Sequence, residues 1–110
     1  MSRAAHKLSA EELAFFRAFD NEIRLEILRA LEEHERCVNE IVKELGCDQT
    51  TVSHNLRFLS ECGFVDVKRE GKSRVYHLSS PSIGKIFDLM EEHFERTRKL
   101  LRNLRETGEY

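Results

Sequence analysis

The chain has 110 residues and a formal net charge of −2, with 18 lysines and arginines against 20 aspartates and glutamates. This length predicts one domain over residues 1–110, with little room for a deep catalytic pocket, so an enzyme is disfavoured. Charged residues make up 35% and apolar residues 40%, which predicts a folded chain. Because no apolar run or signal peptide stands out, we expect a cytoplasmic protein without a membrane partner.

Four helices are predicted before residue 62. Ser9 and Glu12 have capping-box spacing, which predicts a first helix within 9–20. Asn21 precedes the apolar stripe of a second helix. A short third helix ends at Gly46, and Asp48 is suited to cap a fourth.

After residue 63 the spacing of apolar residues changes from a helical period to strict alternation. Apolar and polar residues alternate on both sides of a turn at 70–73, which predicts a β-hairpin within 64–78. Ser80 as N-cap and Pro81 as first helical residue predict a long helix over 81–105. Its apolar residues form a seam with coiled-coil-like spacing, which Thr97 interrupts: Ile83, Phe87, Met90, Phe94, Leu101 and Leu104. The fold class is therefore mainly α with a two-stranded hairpin (α+β), in the order α-α-α-α-β-β-α.

Residues 38–61 carry the pattern that points to function. Two short amphipathic helices joined by a tight turn have the spacing of a helix-turn-helix, whose second helix can enter a DNA major groove. That helix presents polar side chains suited to base edges and phosphates: Gln49, Thr50, Ser53, His54 and Arg57. The basic hairpin that follows is suited to grip a phosphate backbone. The alternatives are that the polar face of this helix is only a solvated surface and that the basic hairpin is only a soluble turn.

The stretch Cys37–Leu78 closely resembles the winged helix-turn-helix repressors of the ArsR/SmtB family, and FDNEIRLEILRAL upstream resembles the family's second helix. The resemblance implies a homodimer, built from helices 9–20 and 81–105, that represses promoters by binding inverted repeats in double-stranded DNA. It implies that the helix-turn-helix (38–61) reads bases and that the wing (64–78) grips backbone. The predicted contacts are Gln49, Thr50, Thr51, Ser53, His54, Arg57, Lys68, Arg69, Lys72 and Arg74.

A dimer also has support from the residues themselves. The apolar seam of the last helix would leave a hydrophobic stripe in water unless another surface covers it. A two-fold dimer would place two reading helices about 34 Å apart, one turn of DNA. The alternative is that the seam packs only against its own domain.

The effector is less well specified, and no cofactor is certain. Family members often carry a Cys-x-Cys pair where this chain has Cys37 and Asn39, so one thiol remains. His6 or His34 could add a ligand to Cys37. Of the family's site on the last helix, Asp88 and His93 are present, but the downstream histidine pair is absent. These residues are weak candidates for a transition metal or metalloid site. Oxidation or sulfur chemistry at Cys37, or no small effector at all, are the alternatives.

The leading hypothesis is a DNA-binding transcriptional repressor released by a metal, metalloid or thiol-reactive effector. The alternative is a winged-helix module that binds another protein and senses no small molecule. The near-neutral charge does not oppose the first hypothesis, because residues 49–77 hold five basic and three acidic side chains. The acidic excess lies elsewhere, so the positive region can set the docking face.

Overall fold

A computed structural model describes residues 3–108 of the chain. A short 3-10 helix, Arg3–His6, comes first. The remaining elements are α1 (Ala10–Phe19), α2 (Glu22–Glu33), β1 (Arg36–Cys37), α3 (Val38–Leu45), α4 (Gln49–Glu61), β2 (Val65–Glu70), β3 (Ser73–Leu78) and α5 (Ser82–Thr107). The predicted helices and hairpin are confirmed, and with them the mainly α fold with a β wing.

The helix starts follow from local capping chemistry. The Ser9 hydroxyl accepts the Glu12 N–H at 3.1 Å, and the Glu12 carboxylate accepts the Ser9 N–H at 2.9 Å, which completes the predicted capping box. The Asn21 side chain accepts the Arg24 N–H at 3.0 Å and starts α2. Gly46 ends α3 with φ 67°, a left-handed conformation that few other residues adopt easily.

The start of α5 differs by one residue from the prediction. Ser80 is not the N-cap: the helix begins at Ser82 with Pro81 in the cap position, and no side chain caps it. The Ser80 backbone carbonyl, not its hydroxyl, accepts the Ile83 N–H at 3.3 Å. Pro81 supplies helical dihedral angles with no N–H that needs a partner, so a side-chain cap is less necessary.

The sheet has one strand more than the predicted hairpin. The two-residue β1 pairs antiparallel with β3, which also pairs with β2, so the strand order is β1-β3-β2. Arg36 lies opposite Tyr76, and Cys37 lies opposite Val75. The sequence does not predict β1, because two residues are too few to show an alternating pattern.

The chain divides into two compact units, one ending at Ser79 and the other beginning at Ser80. The core of the first unit lies among α2, α3, α4 and the base of the wing, and its fully buried side chains are Ala18, Ile27, Leu28, Ile41, Val52, Leu56, Leu59 and Val65. The second unit consists of α5, whose residues 91–100 are all exposed. No helix among residues 3–108 is long and apolar enough to cross a membrane.

Candidate DNA-binding interface

The polar face of α4 is directed to solvent. Its apolar residues Val52, Leu56 and Leu59 are fully buried and fix the rotation of the helix. The opposite face exposes most of the predicted reading residues: Gln49, Thr50, Ser53, His54 and Arg57. These side chains can therefore reach a groove without any rearrangement of the helix.

Thr51 has a different role in the structure from the other polar residues of α4. It is half-buried, and its hydroxyl donates to the Asp48 carboxylate at 3.0 Å, while its N–H donates to the same carboxylate at 2.7 Å. The Thr51 N–H, and after it the hydroxyl, lower the pKa of Asp48. Because this pKa is lowered, the cap stabilises α4 at neutral pH and is lost only as pH falls through it.

The wing has two faces, and one of them lies beside α4. Val67, Arg74 and Tyr76 line a cleft of about 510 Å³ together with Gln49, Ser53 and Arg57 of α4. The cleft therefore joins the polar face of α4 to one face of the hairpin.

Arg69 belongs to the same wing face as Arg74. The two are directly opposite each other on β2 and β3, and cross-strand neighbours point to the same side of a sheet. Two like charges in this position repel each other unless an anion lies against them. This pairing indicates a surface that a polyanion would stabilise.

Lys68 lies on the other face of the wing, because successive residues of a strand alternate sides. Its ammonium group is 2.9 Å from the Glu35 carboxylate and 3.4 Å from that of Glu70. The hydrogen bond to Glu35 is the main cause of a raised pKa at Lys68. The structure therefore groups Arg69 and Arg74 with α4, and pairs Lys68 with carboxylates on the opposite face.

Lys72 adds a basic side chain beside the cleft, and Arg57 within the cleft has an acidic neighbour. Lys72, in the turn of the hairpin, lines a smaller pocket of about 210 Å³ with Cys37, Gln49 and Arg74. Arg57 is 3.1 Å from the Glu61 carboxylate, and both side chains are highly exposed. An exposed pair of this kind is weak, so a phosphate can replace Glu61 as the partner of Arg57.

The candidate effector residues do not converge in the chain as described. Cys37 is half-buried at the end of β1, where its N–H donates to the Glu40 carboxylate at 3.0 Å. His34 Nδ1 lies 2.8 Å from the Glu35 carbonyl oxygen. Asp88 and His93 are exposed on α5. Within residues 3–108 there is no group of three or more His, Cys, Asp or Glu side chains placed to hold a metal ion.

Two buried polar residues near the interface were missed as functional candidates in the sequence. Asn55, on the inner side of α4, is 7% exposed, and Arg36 of β1 is 2% exposed. Arg36 donates to carboxylates of Glu33 and Glu44, each at 3.0 Å, and so ties β1 to α2 and α3. An asparagine among the apolar inner positions of α4 was the available signal for a buried polar contact.

Comparison with known proteins agrees with this architecture. Residues 21–67 match the model for "Bacterial regulatory protein, arsR family". An HTH-type transcriptional regulator of Methanocaldococcus jannaschii is 36% identical over 78 residues, covering 70% of this chain and 88% of that protein. The cadmium resistance transcriptional regulatory protein CadC of Listeria innocua is 37% identical over 78 residues, covering 70% of this chain and 63% of CadC.

A solved structure shows the same fold. The homodimeric winged helix-turn-helix DNA-binding domain of Mb0332 from Mycobacterium bovis superposes with a TM-score of 0.76 at 28% identity, covering 90% of this chain and 92% of that one. The order of elements, the exposed polar helix, the basic wing and the similarity to these regulators lead to one conclusion. The chain belongs to the arsR family of winged helix-turn-helix transcriptional regulators, and it is a DNA-binding protein rather than an enzyme.

Proposed function

We propose that this regulator is a homodimeric repressor that binds an inverted-repeat operator with α4 and one face of the wing. The cleft that joins Gln49, Ser53 and Arg57 to Arg74 is the observation that carries the proposal. Gln49, Thr50, Ser53 and His54 would read base edges, while Arg57, Arg69, Lys72 and Arg74 would contact phosphates. Thr51 would act through the cap that it forms with Asp48.

The proposed dimer uses exposed apolar surface on α1 and α5. Leu13 and Phe16 of α1 are 42% and 62% exposed, and Phe94 of α5 is 43% exposed. Exposed apolar side chains of this size, repeated on two helices, are typical of surfaces that a partner covers. A second copy of the chain would cover both surfaces by a two-fold axis.

The charges of α5 favour a second copy that runs antiparallel. Residues 88–95 hold the acidic side chains of the helix centre: Asp88, Glu91, Glu92 and Glu95. Residues 96–105 hold five basic side chains and no acidic one: Arg96, Arg98, Lys99, Arg102 and Arg105. An antiparallel partner centred near Phe94 would place each acidic segment against the basic segment of the other helix.

The protein should bind a duplex from its own upstream region in a strongly salt-dependent way. About eight phosphate contacts per dimer, from Arg57, Arg69, Lys72 and Arg74 in each subunit, predict a log–log salt slope of about −7. Affinity would then fall about 10,000-fold between 50 and 200 mM salt. Fluorescence anisotropy with the upstream duplex and a scrambled duplex measures both the slope and the preference. An intact dimer that binds neither duplex would contradict the proposal and favour the protein-interaction module.

We further propose that an effector releases the repressor by acting at Cys37. This thiol lines the pocket that also contains Gln49, Lys72 and Arg74, so a metal, metalloid or sulfur adduct there would alter the proposed DNA surface directly. The similarity to CadC, a cadmium resistance transcriptional regulatory protein, supports a metal effector, and a lone thiolate would need further ligands to hold a metal.

Cys37→Ser should abolish the release of DNA by a thiol-reactive or metal effector. The measurement is operator binding during titration with zinc, cadmium, arsenite and a persulfide donor. Cys47→Ser is the matched control, because Cys47 is also half-buried and its thiol lies 3.8 Å from the Leu45 carbonyl oxygen. If an effector still releases operator DNA from Cys37→Ser, both the metal hypothesis and the redox hypothesis for this residue are contradicted.

A further inference from the structure

One side chain, Arg24, links the end of α1 to the inner side of α4. Its Nη2 donates to the Arg17 carbonyl oxygen at 2.8 Å, and its Nε donates to the Ala18 carbonyl oxygen at 3.1 Å. Its Nη1 donates to the Asn55 side-chain oxygen at 3.4 Å. The guanidinium carbon also lies 4.3 Å from the centre of the Phe58 ring. A residue of α2 therefore contacts two other helices at once.

The contacts with α1 are chemically matched. Arg17 and Ala18 belong to the last turn of α1, where backbone carbonyls carry the negative end of the helix dipole. The Arg17 carbonyl oxygen also accepts the Asp20 N–H at 3.2 Å, so Arg24 adds a second donor there. A guanidinium group satisfies these oxygens with two separate N–H groups in a fixed plane. The cation therefore holds the end of α1 in a defined place relative to α2.

The contacts with α4 are equally specific. The Asn55 amide donates to the Thr51 carbonyl oxygen at 2.9 Å, which directs its own oxygen to Arg24. The Phe58 ring offers its negative face to the cation. Asn55 is two residues from both Ser53 and Arg57, about 200° around the helix, so Arg24 holds α4 from the side opposite the proposed DNA surface.

We infer that Arg24 is a positioning residue for operator recognition, one that sets the direction of α4 relative to α1. This inference rests on the proposed function, in which α1 is part of the dimer interface and α4 reads DNA. One link from the proposed dimer interface to the groove would then pass through Arg24, beside the ring contacts of Phe15 and Phe19 with Phe64. Its geometry would contribute to the separation of the two reading helices. Because half-sites repeat at about 34 Å, that separation decides which operator spacing fits.

Arg24→Lys tests the inference because lysine keeps the charge but cannot reach three acceptors with a planar group. The expected result is a loss of about tenfold in operator affinity, with affinity for scrambled DNA changed less than about twofold. The preference for the native half-site spacing, measured with operators lengthened or shortened by one base pair, should flatten. Dimerisation, followed by sedimentation, should remain.

Asn55→Leu provides a second variant, which keeps the branched shape of the side chain and leaves the contact of Arg24 with α1 in place. If the two residues act through one link, the Arg24→Lys/Asn55→Leu double variant should lose little more operator affinity than Arg24→Lys alone. A purely structural role would lower the melting temperature and leave the ratio of operator to scrambled affinity and the spacing profile unchanged, which would overturn the inference. Failure of the unaltered protein to prefer its operator would instead overturn the proposed function.

Discussion

The double variant Arg57→Ala/Arg74→Ala is expected to lose about 100-fold or more in operator affinity at 150 mM salt. These side chains lie on different elements, α4 and β3, but line the same cleft. Each dimer would lose four cationic contacts, so the salt slope should decrease in magnitude from about −7 to about −4. Anisotropy titrations at four or five salt concentrations measure the affinity and the slope together.

Lys68→Ala is the matched control for this prediction. It removes the same charge from the same wing, but from the face on which Lys68 pairs with Glu35 and Glu70. Its operator affinity should change by less than about threefold, because exposed ion pairs contribute little and the residue lies away from the cleft. An equal loss from Lys68→Ala and from Arg74→Ala alone would show that binding depends on the total charge of the wing and not on one face.

This contrast between wing residues shows what the sequence could and could not predict. Alternation identifies the two strands and implies that Lys68 and Arg69 point to opposite sides. It does not identify the side that lies beside α4, because that depends on packing between β3 and α4. The pairing of Lys68 with Glu35, 33 positions earlier in the chain, is likewise a product of tertiary structure.

Helix boundaries were predictable because they depend on local contacts and not on tertiary packing. Ser9, Asn21 and Asp48 each cap a helix through a contact within three residues, so the information is local. The buried polar links are not local. Arg36 reaches Glu44 on another element, and Arg24 reaches Asn55 from 31 positions away. No periodic pattern marks such partners, and a two-residue strand such as β1 leaves too short a pattern to recognise.

Phe94→Glu should dissociate the proposed dimer at micromolar concentrations. In an antiparallel pair of α5 helices with the predicted seam, Phe94 lies at the two-fold axis and meets its own copy. The substitution would remove an apolar contact and place two carboxylates side by side in a partly dehydrated interface. Sedimentation velocity measures the change in mass, and operator affinity should fall as well, because each half-site would bind its own monomer independently.

Leu89→Glu is the control that shows whether the dimer depends on the seam itself or on exposed apolar surface anywhere on α5. Leu89 is 64% exposed, more than Phe94, but it lies off the seam formed by Met90, Phe94 and Leu101. The dimer should survive Leu89→Glu, and a dimer that dissociates with Leu89→Glu but not with Phe94→Glu would place the interface on another face of α5.

The direction of the partner helix can be tested by exchanging charges on either side of the axis. Glu91 and Arg98 lie next to the seam at nearly equal distances from Phe94, so antiparallel packing brings Glu91 of each copy to Arg98 of the other. Arg98→Glu should weaken the dimer, and Glu91→Arg/Arg98→Glu should restore it. In a parallel pair, positions beside the seam meet different positions of the partner, so Glu91 and Arg98 would not face each other and the exchange of charges would not restore the dimer. Restoration of the dimer therefore distinguishes the two directions.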